Sequence, residues 1–360
     1  MEDSNMKILY FGPITPKGKP SVGGYEAANR KNIEALRSRG VSVDEFPYPL
    51  INKKWGKIAK LKYVKLLFQP LSLLKYGNKE KMVVHTTPLY GNALGFPAVL
   101  LLLMSKWLGF KSVVDIRAGS FFYYWNNSGK TIRWALRKLL SLGSAITVEG
   151  TGYIKPMRAI VGLDKGIYYF PNLAFCNQLP NIRKDYSSTI RLFYFGRITQ
   201  KKGIDILLDT IELLGSRFEL YLAGSIADDV KPECLQRNRV VYLGNLTSEQ
   251  LSEQMLQMHI FVFPTSHLGE GQSNSLIEAM SYGLIPVSSN QGFCAEVIAD
   301  CGKVLAQGST AQDYKKAIED ICSKDMKMLS KKCQEHIKSC HNIDVEIPKL
   351  IQIYTGLLCQ

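Results

Sequence analysis

What the 360-residue sequence lacks narrows its chemistry first. It has no Gly-x-Gly-x-x-Gly run and no Walker pattern, which takes support from dehydrogenase and nucleoside-triphosphatase readings. Its eight cysteines, at 176, 234, 294, 301, 322, 333, 340 and 359, include no Cys-x-x-Cys pair and no histidine cluster at zinc spacing. Free thiols in a reducing compartment are therefore expected. No clustered carboxylates suggest a divalent-ion site, so no metal and no cofactor are expected. The longest apolar run, Leu94 to Met104 with Gly95 and Pro97 inside it, is too short to span a bilayer and reads as a buried helix. The opening "MEDSNMKILYFGP" is acidic and runs straight into a strand-like segment, so no secretory signal is visible and a cytosolic location is expected. No short-period repeat or low-complexity tract appears.

Acidic residues are also scarce. Against 45 Lys and Arg stand 31 Asp and Glu, a net charge of +14, and the imbalance is local. Between residues 51 and 82 the chain carries Lys53, Lys54, Lys57, Lys60, Lys62, Lys65, Lys75, Lys79 and Lys81 against Glu80 alone. Such an excess points to an anionic partner: nucleic acid, lipid headgroups or a phosphorylated small molecule. Trp55, Ile58, Leu61, Val64, Leu67 and Phe68 recur among these lysines at near-helical spacing, forming one apolar stripe. A basic amphipathic helix can lie on an anionic membrane, or it can pack its stripe on its own domain. Lys130, Arg133, Arg137 and Lys138 form a second basic run open to the same two readings.

What is present is a repeated βαβ rhythm. Strand-like "KILYFGP", "VSVDEFPY", "KMVVHTT", "KSVVDIRAG" and "SAITVEG" alternate with helical patterns as far as "YYFPN". A second series follows the polar segment ending near Ser188: "RLFYFGR", "FELYLAG", "VVYLGNL", "IFVFPTS", "IPVSSN" and "GKVLA". The reading is α/β with two Rossmann-like domains, residues 1–172 and 173–344. In open parallel sheets ligands bind beyond the carboxyl ends of strands, and the cleft between two such domains is the default site.

Several residues fall at those ends. In "FYFGRITQKKG", Arg197 lies just past a strand and Lys202 just before a helix, so both cations can reach one diphosphate, or both can be solvated loop charges. Gly23 and Gly24 open a helix after the first strand, where backbone N–H groups can approach a phosphate or a sugar. His85 ends the strand of "KMVVH" and His267 precedes Glu270. Asp115 and Arg117 end the strand of "VVDIRAGS" and can pair with each other. In "EGQSNSLIEAM", Ser275 with Glu278 reads as a capping box, while the polar loop feeding that helix can also hold an anion. Glu270 has no part in the cap.

Together "FGRITQKKG", "VYLGNLTSEQL", "FVFPTSHLGEGQSNSLIEAMSYGLIPVSSNQGFCAEVI" and the early "GGYEAANRKNIEALRSRG" resemble glycosyltransferase family 4, retaining enzymes of GT-B fold, in order and spacing along nearly the whole chain. The most specific feature is the acidic pair Glu270 and Glu278, with seven residues between them. The resemblance implies that Arg197 and Lys202 hold the diphosphate of a nucleotide-sugar donor, that Glu278 holds the ribose hydroxyls, and that Glu270 holds the sugar hydroxyls. Gly271, His267 and the backbone of Asn274 and Ser275 complete the donor set, and Gly24 closes over the diphosphate from the opposite domain. Pro171 and Asn172 mark the start of the linker, and residues 345–360 return to the first domain as a crossover helix. Many members carry a histidine roughly where Arg117 stands, so that role does not transfer; Arg117, Asp115 and His85 are left as possible donor or acceptor contacts.

The resemblance also implies metal-independent transfer, with retention, from a UDP- or GDP-sugar to a glycan or lipid-linked glycan in bacterial surface-polysaccharide synthesis, at or near the inner face of the cytoplasmic membrane. A GT-B-like sugar-nucleotide epimerase and a basic nucleic-acid-binding protein are the rivals. The second explains the charge but not Glu270 and Glu278 beside Arg197 and Lys202.

Overall fold

Near-continuous apolar runs such as "KILYFG" and "IFVF" have no polar face to turn to solvent, and they form strands covered on both sides. The computed structural model describes residues 6–16, 23–49, 57–90, 94–117, 119–162, 164, 166–174, 179–181 and 184–359. It divides into two units, Met1–Leu173 with Asp344–Gln360, and Ala174–Ile343.

Unit 1 runs β1 (Lys7–Gly12), α1 (Gly24–Ser38), β2 (Ser42–Pro47), α2 (Lys57–Phe68), β3 (Met82–Thr86), α3 (Gly95–Trp107) and β4 (Lys111–Ile116). It continues with α4 (Phe121–Asn127), α5 (Lys130–Leu142), β5 (Ala145–Val148), α6 (Ile154–Val161) and β6 (Gly166–Tyr169). All pairings are parallel, in the order β2-β1-β3-β4-β5-β6. Right-handed crossovers then put α1 on one face of the sheet and α2, α3, α5 and α6 on the other. In keeping with this, α2 packs on α3, α3 on α5, and α5 on α6.

Unit 2 runs β7 (Ile190–Phe195), α7 (Ile204–Leu213), β8 (Phe218–Ala223), β9 (Val240–Tyr242), α8 (Ser248–Gln257), β10 (Ile260–Phe263) and α9 (Asn274–Ser281). It ends with β11 (Ile285–Ser289), α10 (Cys294–Ile298), β12 (Lys303–Leu305), α11 (Ala311–Cys322) and α12 (Met326–Cys340), before α13 (Ile343–Leu358). Its parallel sheet has the order β12-β11-β10-β7-β8-β9. The chain therefore leaves β7 in one direction and returns to its other side as β10. Crossovers diverge there, and the loops above β7 and β10 open a crevice beyond the strand ends.

Three sequence expectations need correction. The helix spanning the apolar run is not buried all round: Leu100, Leu103 and Trp107 are exposed, because α3 packs on α5 and α2 along only part of its circumference. The stripe of α2 faces solvent, with Leu61 71% and Phe68 63% exposed, and Leu66 is the side chain that enters the core. Lys53, Lys54 and Trp55 lie outside the described residues. The third concerns strand count: "GIYY" forms a sixth strand in unit 1, where the sequence reading ended the series at "YYFPN". Among the described residues seven cysteines are free, and no helix is long and apolar enough to cross a membrane.

Candidate donor site at the β7–β10 crevice

The site is assembled from two loops that meet at the unit 2 switch point. After β7 the chain turns through Gly196 and Arg197, makes a 3-10 turn at Gln200–Lys202, and enters α7 through Gly203. Gly203 has φ +78°, and a Cβ there would lie 2.3 Å from the Pro264 carbonyl oxygen. Only glycine lets the Lys202 turn close on the loop after β10. That contact is reinforced where the Ser266 N–H donates to the Lys201 carbonyl at 2.9 Å.

The consequence is a direct ion pair between the Lys202 ammonium and the Glu270 carboxylate. Glu270 is 8% exposed and also accepts from the Thr265 hydroxyl at 3.3 Å; the Lys202 Nζ sits 5.0 Å above the Phe263 ring. The Glu270 backbone is fixed in turn: its N–H donates to the His267 carbonyl at 2.9 Å, and Gly292 (φ +57°) passes so close that a Cβ would meet the Glu270 carbonyl oxygen at 2.1 Å. The negative field of Glu270 is felt nearby, where burial first and this carboxylate second push the Cys294 thiol up to about 12. Partial desolvation, then the Lys202 charge, lower the His267 imidazole below its ordinary value, although the residue as a whole is exposed.

Arg197 is exposed, and its guanidinium makes no hydrogen bond or ion pair among the described residues; its carbonyl accepts from the Tyr194 hydroxyl at 2.8 Å. Glu278 lies one turn into α9 and is half-buried, as are Gly271, Asn274 and Ser275. The cap of α9 differs from the sequence expectation. Ser273 is the N-cap, its hydroxyl accepting from the Leu276 N–H at 3.4 Å, and Ser275 bonds the Ser273 hydroxyl at 2.9 Å. With Ser273 as cap, Leu276 takes the N3 position, so Glu278 is not in a capping box. The first N–H groups of α9 point out of its N-terminal end with the positive end of the helix dipole, beside Glu270 and Gly271.

The unit 1 candidates have a different environment. His85 and Asp115 are wholly buried and Arg117 is 3% exposed. Asp115 bonds Arg117 at 2.5 Å and accepts from the Thr147 hydroxyl at 2.7 Å, and Arg117 reaches Asn172 Oδ1 at 2.5 Å. Burial raises the Asp115 carboxyl, but Arg117 and His85 outweigh it and hold it at about 2. His85 stacks on Tyr10 at 4.3 Å and shares a 2.7 Å hydrogen bond with Tyr354, which ties α13 to the sheet. The Asp115–Arg117 pairing left open by the sequence is thus present. One guanidinium nitrogen of Arg117, Nη2, has no hydrogen-bond partner among the described residues. Gly24 is the first residue of α1.

Sequence reasoning missed Thr265 and Phe263. Both lie at the end of β10, so the strand-end rule that selected His267 would also have found them. Among the described residues no group of three or more His, Cys, Asp or Glu side chains could hold a metal ion.

Residues 189–324, most of unit 2, match the family model for glycosyl transferases group 1. Over that stretch the chain is similar to the group 1 glycosyltransferases. O-antigen chain mannosyltransferase B of Escherichia coli is 32% identical over 121 residues, covering 31% of this chain and 31% of that protein. The chain spans less than a third of the length of the curated relatives it matches. Among solved structures, sucrose-phosphate synthase from Thermosynechococcus elongatus superposes with TM-score 0.75 at 17% identity, over 98% of this chain and 99% of that one. HepE of Anabaena, solved with UDP, gives 0.70 at 16%, over 98% and 100%. At these identities the likeness is one of fold, and that fold is GT-B. The group 1 match falls on the unit that carries the Lys202–Glu270 pair.

Proposed function

We propose that the protein is a retaining, NDP-sugar-dependent hexosyltransferase that moves a sugar from a UDP- or GDP-sugar to an acceptor hydroxyl without a divalent ion. The observation that carries this reading is the Lys202–Glu270 pair at the β7–β10 crevice, next to the exposed Arg197 and the start of α9. In the ligand-free protein the two charges hold each other in place, so little ordering is left for the moment of binding. A donor diphosphate competes for Lys202, and Glu270, still held by Thr265, turns its carboxylate to the sugar hydroxyls. As the bond to the anomeric carbon breaks, negative charge grows on the departing diphosphate. Lys202, Arg197 and the positive end of α9 stabilise that charge more in the transition state than in the ground state. Fixed cations of this kind do the work that a metal does in other transferases. Glu278 takes the ribose hydroxyls, with Gly271, Asn274, Ser275 and His267 around the phosphate and sugar.

HepE binds UDP, and a structure of it with UDP-glucose exists; the Escherichia coli relative is an O-antigen mannosyltransferase. These support a nucleotide-sugar donor and a glycan acceptor in surface-polysaccharide or lipopolysaccharide synthesis, with a lipid-linked acceptor met at the cytoplasmic face of a membrane. The deciding experiment is a thermal shift screen with UDP, GDP, ADP, TDP and CMP, each with and without EDTA. Binding to the native state raises the melting temperature by mass action. A rise with one diphosphate, unchanged by EDTA and lost in Glu278→Ala, names the donor base; no rise with any of them overturns the reading.

A further inference from the structure

We infer that the outer surface of the α2–α3–α5 layer of unit 1 is a docking surface for an anionic lipid bilayer. It goes beyond the donor chemistry and does not depend on it. The first observation is charge. The helices α2, α3, α4, α5 and α6 and the 3-10 segment Gln69–Lys75 contain twelve lysines and arginines and no aspartate or glutamate. On the other face of the same sheet α1 carries Glu26 and Glu34, so the depletion belongs to one face. Lys57, Lys60, Lys65, Lys106, Arg133 and Arg137 make no ion pair among the described residues. In unit 2, by contrast, acidic side chains lie beside several of the surface lysines, as in Lys303–Asp320, Lys324–Asp320 and Lys332–Asp300.

The second observation is apolar exposure in the same layer. Leu61 and Phe68 of α2, Leu74 of the 3-10 segment, and Leu103 and Trp107 of α3 all face solvent, Trp107 at 78%. These elements pack on one another, so the exposed side chains belong to one helical layer of unit 1. Aliphatic side chains add nothing to phosphate-backbone binding, which needs cations alone. A bilayer interface uses both: cations meet the anionic headgroups, and leucine, phenylalanine and tryptophan enter the acyl boundary. The chemistry therefore fits a membrane better than a nucleic acid.

The test is sedimentation of the full chain with phosphatidylcholine vesicles, with and without phosphatidylglycerol, combined with tryptophan emission. The expected result is binding to the anionic vesicles only, with a blue shift as Trp107 leaves water. The triple variant Lys57→Gln, Lys60→Gln, Lys65→Gln should weaken binding about a hundredfold, or about fivefold per lysine. Leu61→Ser with Phe68→Ser and Leu103→Ser should abolish the blue shift and leave only salt-sensitive adhesion; these side chains are exposed, and unchanged circular dichroism checks the fold. Failure of the native protein to sediment with anionic vesicles overturns the inference, as does equal sedimentation of both variants. So does a dimer in light scattering that the apolar variant dissolves, or retention by RNA without vesicle binding. A failed nucleotide screen would leave all these readings unaltered, so the two proposals fail separately.

Discussion

Both units place charged residues at the carboxyl ends of parallel strands around a switch point, yet they use them in opposite ways. In unit 1 the ends of β3 and β4 carry His85, Asp115 and Arg117, all buried and bonded to one another, to Thr147, to Asn172 and to Tyr354. In unit 2 the ends of β7 and β10 carry Arg197, which is exposed, Lys202, which is half-buried, and Glu270, which is buried and bonded to Lys202 and Thr265. The difference shows that the same strand-end positions carry a wholly buried, many-partnered cluster in one unit and a more open one in the other. Both carboxylate oxygens of Asp115 are taken up inside the protein, one by Arg117 and one by Thr147, so that carboxylate has little left to offer a ligand.

The sharpest way to break this comparison is to remove one partner on each side. Asp115→Ala leaves the Arg117 guanidinium buried without its carboxylate, which should cost about 3–5 kcal/mol of stability. Urea unfolding followed by tryptophan emission reads it directly, because all four tryptophans, at 55, 107, 125 and 134, belong to unit 1. Lys202→Ala should act mainly on the reaction: kcat/KM falls by about 10²–10³, the size of losing one group that stabilises transition-state charge, while the unit 1 tryptophan transition stays in place. If Lys202→Ala unfolds the protein and Asp115→Ala chiefly slows it, the assignment of the two clusters is inverted.

Acid should also separate the units, by a smaller amount. His259, buried in unit 2, accepts from the Arg191 N–H at 2.9 Å, and burial, with Lys184 nearby, pulls its imidazole down to about 4. Its folded pKa is below the unfolded value of about 6.5, so the unfolded chain binds the extra proton. The contribution is complete above pH 6.5 and is lost as pH falls to 4, at about 2–3 kcal/mol. Asp115 is held at about 2, so its contribution survives until pH drops below about 4. Far-UV circular dichroism in urea between pH 7 and 4 should show the loss, and His259→Asn should flatten it. A wild-type midpoint that is constant over that window would remove His259 as the acid-sensitive element.

The strand series and the residues of unit 2 were legible because each sits where a periodic pattern breaks: Lys202 before a helix, Glu270 after the β10 strand, Glu278 one turn into α9. The structure adds the contact between Lys202 and Glu270, which are 68 residues apart in sequence and meet only because β10 returns beside β7. Sequence could not show which face of an all-apolar helix is covered. "GFPAVLLLLMSKW" looks alike all round, and its exposure at Leu103 and Trp107 is set by where α5 and α2 stop covering it. The network of His85 was hidden for the same reason, since Tyr354 lies 269 residues away. β6 was missed because four residues starting at a glycine make a weak pattern.

The smallest expected effect tests the point on which local pattern and structure disagree, the start of α9. The spacing of Ser275 and Glu278 fits a capping box, but Ser273 has the extended backbone of an N-cap (φ −71°, ψ 118°) and its hydroxyl takes the Leu276 N–H. Ser273→Ala should therefore cost about 1 kcal/mol of stability, the usual loss for an N-cap serine, whereas Ser275→Ala should cost only a few tenths. With Ser273 at the cap, Glu278 lies five residues along, beyond the N3 position from which a carboxylate folds back on the first turn. Ser275→Ala should leave the nucleotide-dependent rise in melting temperature nearly unchanged, while Glu278→Ala abolishes it. If Ser275→Ala proves the more destabilising of the two serine substitutions, the helix begins two residues later than the structure has it, and Glu278 returns to a capping role.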